Sequence, residues 1–249
     1  MKKMKKLNPL IVAIFSSVIV SAQIPERETD RDSMYVRDGY FTTGDSASYI
    51  SNQNPVFPSS SELFIADPEP KVFDGKLYVY GSLDEKKASH WCSDRYHVVY
   101  TEDLVHWKDA GVSFHLDSIP GKYRNTSQTT LWAPDLIRDP KDGKYYLFLC
   151  TNSNRETTTR IYVAVSDKPE GPFKDAVPLL IDGETPVGHH ADPAVMVDDD
   201  GTAYVTWPFK IAQLDPLDYT KVLGHTIVDV KQWMPDDYLP FEGPSLRKR

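Results

Sequence analysis

Short apolar runs separated by tight polar turns dominate the chain from Leu63 onward, and no stretch repeats its apolar positions with the period of a helix. Three stretches share one layout, in which a few apolar residues are followed by an Asp-Gly pair and then by a run rich in aromatic and β-branched residues. The pairs are Asp74-Gly75, Asp142-Gly143 and Asp200-Gly201. Asp-Gly between such runs is typical of the tight turn of a β-hairpin. The pattern therefore predicts three hairpins in an all-β protein.

The hairpins are parts of a longer repeat. Further strands are predicted at His97–Thr101 and Ile161–Ser166, after the first and second hairpins. Equivalent positions lie 57 to 68 residues apart along the chain. Recurrent sheet units of this size favour blades of a β-propeller, which bury their faces against their neighbours. An irregular β-sandwich whose hairpins resemble one another by chance is the alternative fold.

The beginning of the chain differs from the repeats. Four lysines among the first six residues precede a short apolar stretch from Leu10 to Val20, and small residues follow at Ser21 and Ala22. This is the plan of a secretory signal peptide, and the stretch is too short to span a bilayer. We predict a signal peptide at 1–22, a polar leading segment at 23–62 and a partial propeller domain at 63–249. The protein is thus expected to be exported, either periplasmic or secreted.

The net charge of the chain limits the classes of partner that it can bind, and its cysteines limit the disulfides and metal sites that it can form. Removing residues 1–22 takes away four lysines and no acidic residue, which changes the formal net charge from −8 to −12. Such a surface repels nucleic acid and anionic lipid, so we expect no nucleic-acid partner and no membrane insertion. Only Cys92 and Cys150 are present, which leaves both a disulfide and two buried thiols open and resembles no zinc site.

Acidic residues occupy matching places in the repeats. Asp67, Asp135 and Asp192 stand eight or nine residues before the turn glycines, and Glu242 opens the next repeat, whose first strand is predicted at Pro244–Arg247. Equivalent positions on different blades face one axis, so these carboxylates are expected to converge. Glycoside hydrolysis needs one protonated and one ionised carboxyl group, and crowded acids separate their pKa values. For any single acid, a role as turn or capping residue is the alternative.

The blocks around these acids resemble glycoside hydrolase family 43. They are Ala66-Asp67-Pro68, Trp132-Ala133-Pro134-Asp135, the stretch from Asp192 to Gly201, and Glu242-Gly243-Pro244, in the family's order over about residues 54–249. The resemblance implies a five-bladed β-propeller and inverting hydrolysis of arabinofuranosides or xylosides. It assigns Asp67 as general base, Glu242 as general acid, and Asp192 as the residue that orients Glu242 and raises its pKa.

Inversion predicts that the Asp67 and Glu242 carboxyl groups lie roughly 6.5–9.5 Å apart. The block with Asp135 does not normally supply a catalytic acid, so a structural role near the rim of the site is expected for it. Trp132 is predicted to form a wall of the sugar pocket. Trp91, Trp207 and His190 are further candidates for substrate contact. For each tryptophan, packing between blades is the alternative.

The chain is shorter than a five-bladed propeller with blades of this size requires. Only 187 residues run from Leu63 to Arg249, enough for about three blades and the start of a fourth. Because the general acid must be held rigidly, we expect little activity from the chain at this length and activity from a completed form. The expected substrate is an oligo- or polysaccharide, no cofactor is required, and a structural calcium ion is compatible with the resemblance. We expect a monomer.

Other functions remain open at this point. A carbohydrate-binding propeller without catalysis would not need all three acids. A related propeller enzyme that acts on fructans or arabinan is the third hypothesis. The block typical of the fructan enzymes is absent from the sequence.

Overall fold

The structure, a computed structural model, describes residues 13–14, 48–49, 63–85, 88, 90–124, 128–151, 161–187, 192–234 and 243–248. Antiparallel strands form most of this part of the chain. Its only helical elements are three single turns of 3-10 helix, Leu116–Ser118, Gly224–Thr226 and Val230–Trp233. The all-β prediction is therefore confirmed. No helix in the described part has the length and apolar character needed to cross a membrane.

The first blade is a five-stranded antiparallel sheet. In order from its inner edge, its strands are β3 (Phe64–Phe73), β4 (Lys76–Asp84), β5 (Arg95–Thr101), β6 (His106–His115) and β2 (Ser48–Tyr49). The predicted turn between β3 and β4 has left-handed backbone at both residues, with φ of 49° at Asp74 and 79° at Gly75. Such geometry is what an Asp-Gly pair accepts at little cost. The outermost strand, β2, comes from the predicted leading segment.

The second and third blades repeat this plan. Blade 2 contains β7 (Asp135–Arg138), β8 (Tyr145–Cys150), β9 (Ile161–Ser166) and β10 (Lys174–Pro178). Blade 3 contains β13 (Ala194–Val197), β14 (Ala203–Trp207), β15 (Lys210–Asp215) and β16 (Asp218–Val222). Three two-residue strands extend blade 3, namely β11 (Leu180–Ile181), β12 (Thr185–Pro186) and β17 (Val228–Asp229).

A fourth repeat begins at β18 (Ser245–Leu246), within the strand predicted at Pro244–Arg247. The innermost strand of blade 3, β13, contacts both β7 and β18. β18 pairs with β1 (Ala13–Ile14), which falls inside the predicted signal peptide. Export, and the cleavage it implies, stay a prediction.

Packing between blades identifies the sheets as parts of a propeller rather than a sandwich. Alternate residues of β8 face opposite sides of blade 2, as the period of a strand requires. Leu147 and Leu149 pack against blade 1, whereas Phe148 packs against blade 3. Each blade thus completes its core with its neighbours, as repeated sheets do in a radial fold.

Candidate active site

A cavity of about 730 Å³ opens where the inner strands of blades 1, 2 and 3 approach β18. Its size falls in the range of small-ligand sites, which bury most of a ligand of one or a few rings. Three blades and the fourth repeat contribute to its wall. The residues that matter for the chemistry are Asp67, Asp84, Trp91, Cys92, Trp132, Asp192, Gly243 and Arg247.

Asp67 is presented to the cavity by a β-bulge. Ala66 pairs with Ser82 and Glu69 pairs with Tyr80, so Asp67 and Pro68 together oppose the single residue Gly81. Asp67 has left-handed backbone, with φ of 48°. A bulge bends the strand and redirects a side chain, and such features occur beside active sites.

The surroundings of Asp67 favour its protonated form more than water does. Loss of surrounding water raises its pKa, the negative charge of Asp84 raises it further, and a hydrogen bond with Ser82 acts in the opposite direction. Loss of solvation and a like charge both disfavour ionisation of a carboxyl group. A raised pKa suits a group that must accept a proton during a reaction.

Asp192 lies two residues before the inner strand of blade 3, β13, and is 9% exposed. Its backbone is also left-handed, with φ of 65°. Its Oδ2 accepts the backbone N–H of Gly243 at 3.1 Å. Because Gly243 directly follows Glu242 in the sequence, this bond ties Asp192 to the segment that carries the predicted general acid.

Two predicted site residues, Glu242 and His190, lie outside the described residues. The separation predicted between the Asp67 and Glu242 carboxyl groups therefore stays a prediction, as does substrate contact by His190. What the structure does bring together is Asp67, Asp192 and the neighbour of Glu242 in one cavity.

The three candidate tryptophans have different positions. Trp91 is 87% exposed and Trp132 is half-buried, and both line the cavity. Trp207 is buried and packs in the core between blades 2 and 3, in the same cluster as Val187. The prediction that Trp207 contacts substrate is therefore corrected, because its ring fills the space between sheets, as its packing alternative proposed.

Asp135 is buried and does not line the cavity, which corrects its expected place at the rim. Its Oδ1 lies 2.6 Å from the Nζ of Lys71 on blade 1, and its Oδ2 accepts the backbone N–H of Val195 on blade 3 at 2.7 Å. Asp135 thus connects the inner strands of three blades, and the structural role expected for it is the role it has.

Asp84, Cys92 and Arg247 are cavity residues that the sequence reasoning missed. Asp84 is the last residue of the second strand of the first hairpin. The other two hairpins have no acidic residue at the matching position, so the repeat does not indicate Asp84. Its Oδ1 accepts the backbone N–H of Cys92 at 2.7 Å. Arg247 pairs with Glu69 at 2.7 Å and supplies positive charge to an otherwise acidic wall.

Both cysteines are buried free thiols. Of the two alternatives that the sequence left open, the structure therefore has the two thiols and not the disulfide. Burial raises the pKa of Cys92 to about 11, which keeps it protonated. Within the described ranges, no group of three or more His, Cys, Asp or Glu side chains is arranged to hold a metal ion. Where the three inner strands meet, the Lys71 ammonium already supplies the positive charge.

Comparison with known proteins shows that the chain is similar to members of one enzyme family. The family model for "Glycosyl hydrolases family 43" matches residues 52–249. The chain is 39% identical over 158 residues to "Xylosidase/arabinosidase 43A" of Humicola insolens, an alignment that covers 59% of this chain and 44% of that protein. It is 38% identical over 161 residues to "Beta-xylosidase" of Xylanibacter ruminicola, with 60% and 45% covered. The chain therefore spans less than half the length of these curated relatives.

Solved structures give the same fold. The GH43_1 enzyme from Xanthomonas citri complexed with xylotriose is similar with a TM-score of 0.55 and 26% identity, and the match covers 75% of this chain and 64% of that one. A β-xylosidase/α-arabinofuranosidase from a compost microbial metagenome, in complex with xylotriose and in a calcium-free form, has a TM-score of 0.50 and 28% identity. That match covers 68% of this chain and 58% of the other.

Proposed function

The chain belongs to glycosyl hydrolases family 43, and from this premise we propose that it serves as an inverting glycoside hydrolase acting on plant polysaccharides. The linkages proposed are β-xylosyl or α-L-arabinofuranosyl. The observation that carries the proposal is the convergence of Asp67 from blade 1, Asp192 from blade 3 and Gly243, the neighbour of Glu242, on one cavity.

The proposed reaction uses three carboxyl groups in distinct roles. Ionised Asp67 accepts a proton from a water molecule, whose oxygen bonds to the anomeric carbon on the face opposite the leaving group. Protonated Glu242 gives its proton to the glycosidic oxygen as the bond to the anomeric carbon breaks. One attack from the opposite face inverts the configuration at that carbon.

Asp192 is proposed to hold the acid in place and to keep it protonated. Its hydrogen bond with the Gly243 N–H fixes the backbone next to Glu242. A negative charge close to a second carboxyl group disfavours ionisation of that group, which raises its pKa. The two roles together keep a proton available on Glu242 near neutral pH.

The substrate class is supported by the cavity and by the relatives. The cavity volume suits a sugar of one or a few rings, and the exposed ring of Trp91 offers a flat apolar face to a sugar. The curated relatives carry names of xylosidases and arabinosidases. No step of the proposed reaction uses a metal. A structural calcium ion stays a prediction from the resemblance to the family.

The test is hydrolysis of aryl β-xyloside and aryl α-L-arabinofuranoside by the protein, compared with Asp67→Asn and Glu242→Gln. We expect little release of the aryl group by the chain at this length and ready release by a completed form. In that form kcat should fall at least about 1,000-fold in each variant, because each removes a reacting group. NMR of the first product should show the inverted anomer. Trp233→Ala, which alters an exposed tryptophan outside the cavity, is the matched control.

Two outcomes would contradict the proposal. Turnover that survives in both carboxyl variants would mean that other groups perform the reaction. Binding of xylo-oligosaccharide without any turnover, by the chain and by a completed form alike, would support the alternative of a carbohydrate-binding propeller.

A further inference from the structure

Cys150 stands at the junction between two walls of the cavity. It is the last residue of β8, and its side chain is fully buried. Its backbone carbonyl accepts the N–H of Trp132 at 2.9 Å and the hydroxyl of Tyr96 at 3.3 Å. The same hydroxyl also donates to the Trp132 carbonyl. The backbone of Cys150 is therefore fixed by polar contacts on the side of Trp132.

The thiol of Cys150 contacts both Asp192 and Ala133. Its Sγ accepts the backbone N–H of Asp192 at 3.3 Å. Its Sγ lies 3.6 Å from the carbonyl oxygen of Ala133 and 3.9 Å from Oδ1 of Asp192, and the single thiol proton can be donated to either acceptor. Burial raises the pKa of Cys150 well above its ordinary value, so the group is a neutral donor and adds no second negative charge beside Asp192.

We propose that Cys150 is a positioning residue, which holds the backbone and the carboxylate of Asp192 in the orientation needed for catalysis. The inference rests on the proposed function and adds to it a residue that touches no substrate. The left-handed backbone of Asp192 persists only if its surroundings fix it. The N–H···S bond fixes it from blade 2, and Asp192 in turn binds Gly243.

A thiol has a specific advantage at this place. The S–H group is a weak donor, so it orients the Asp192 carboxylate and leaves most of its negative charge free to act on the neighbouring acid. Alanine would remove both the acceptor for the Asp192 N–H and the donor for its Oδ1. Serine is the conservative substitution, because its hydroxyl can still accept the Asp192 N–H and donate to Oδ1, although its C–O bond is shorter than the C–S bond of cysteine.

The kinetic test compares Cys150→Ala with Cys150→Ser. For Cys150→Ala we expect kcat to fall about tenfold with KM unchanged, the loss that one hydrogen bond to a charged group accounts for. The alkaline limb of the pH–kcat profile should move to lower pH, because a loosened Asp192 no longer raises the pKa of the general acid. Cys150→Ser should recover most of kcat and restore the profile.

Val163→Ala is the matched control, since it truncates a buried side chain one strand further out in the same blade. Val163→Ala should lower the melting temperature about as much as Cys150→Ala does and leave the pH profile of kcat unchanged. If Val163→Ala moves the alkaline limb as Cys150→Ala does, the effect is general loosening and the proposal fails.

A second measurement does not depend on turnover. The S–H stretching band of Cys150 is recorded by infrared spectroscopy in Cys92→Ala, which removes the band of the other thiol, and in Cys92→Ala with Asp192→Asn. We expect the band to move to higher frequency when Asp192 loses its charge, because the hydrogen bond weakens. An unmoved band would assign the thiol proton to Ala133 and overturn the inference. Absence of turnover even in a completed form, with a band that does move, would instead refute the proposed function alone.

Discussion

At the scale of single residues, Asp67 and Asp84 of the first blade line the same cavity, and the charge of Asp84 acts on the ionisation of Asp67. Asp67 has a raised pKa, for which loss of solvation is the first cause and the charge of Asp84 the second. Asp84 is at the same time fixed by the N–H of Cys92. An isosteric Asn at Asp84 keeps an oxygen for that N–H and removes only the charge, so the two effects separate.

We predict that Asp84→Asn lowers the pKa of Asp67 and moves the acid limb of the pH dependence of kcat/KM to lower pH. The sign follows because a neighbouring negative charge disfavours the ionised base, and its removal lets the base ionise in more acidic solution. The acid limb of kcat/KM reports the base of the free enzyme. Steady-state rates measured across the acid range give the answer.

Asp74→Asn removes an equal charge at the opposite end of the same hairpin and should leave the limb in place. If both variants move the limb alike, the effect is one of net charge. If Asp84→Asn moves it to higher pH, Asp84 stabilises the ionised base and the electrostatic account of Asp67 is reversed.

The sequence predicted Asp67 and Asp192 as cavity residues because each stands at a repeated position, and repetition carries geometric information. It gave no comparable signal for Asp84, which has no counterpart in the other hairpins. The burial of each candidate tryptophan determines whether its ring can reach a bound substrate. The exposed ring of Trp91 and the buried ring of Trp207 both stand in strand-rich surroundings, and only the packing of the blades distinguishes them.

At the scale of secondary structure elements, the inner hairpin of blade 1 is longer than the sequence suggested. Apolar runs predicted only short strands on either side of Asp74-Gly75, whereas β3 extends back to Phe64 through Pro68 and Pro70. Proline is tolerated at an edge position, where no ladder hydrogen bond is needed from its nitrogen. β3 is such an edge, since β4 is its only partner in the sheet. The bulge at Asp67 follows from this pairing, which local sequence does not encode.

Gly81 permits the bulge, and we predict that Gly81→Ala destabilises the protein by about 1–3 kcal/mol, the usual cost of an overpacked site. A Cβ at Gly81 would overlap the carbonyl oxygen of Ala66 and Cγ2 of Ile65, both on the strand that presents Asp67. Because the carbonyl belongs to the backbone, the strand itself must move, and kcat should fall more than stability alone explains. Thermal unfolding and turnover at a temperature well below the transition separate the two effects.

Gly121→Ala is the control, since a Cβ at Gly121 meets open space. It should leave both the melting temperature and kcat close to those of the unmodified protein. A fully stable and active Gly81→Ala protein would show that β3 can shift without displacing Asp67.

At the scale of the whole molecule, three blades are held together at their inner strands by one buried cluster. Lys71 of blade 1 contacts Asp135 of blade 2, Glu69 of its own strand, and the carbonyl of Val195 on blade 3. The repeat predicted that inner strands would meet, and it predicted a structural role for Asp135. It could not predict a lysine among them, because the residues at the matching register of the other two inner strands, Ile137 and Met196, are apolar.

This buried cluster makes the stability of the folded protein depend on pH. Burial raises the pKa of Asp135 to about 6 in the folded protein, against the opposing effects of Lys71 and the Val195 N–H. The unfolded chain ionises this group near its ordinary value of 3.8. Between these two values the folded state holds the proton more tightly, so the contribution of Asp135 to the free energy of unfolding is full below pH 4 and is lost as the pH rises through 6.

Chemical denaturation of the unmodified protein and of Asp135→Asn, from pH 4 to pH 8, tests this contribution. The difference in free energy of unfolding between the two should fall as the pH rises and then stay level, since the folded protein holds the proton of Asp135 more tightly than the unfolded chain does. Asp167→Asn, which removes an exposed carboxylate, should show no such trend. A difference that grows with pH would mean that the attraction of Lys71 outweighs the loss of hydration at Asp135, and that the blades are joined by a stabilising ion pair rather than by a buried acid that prefers its proton.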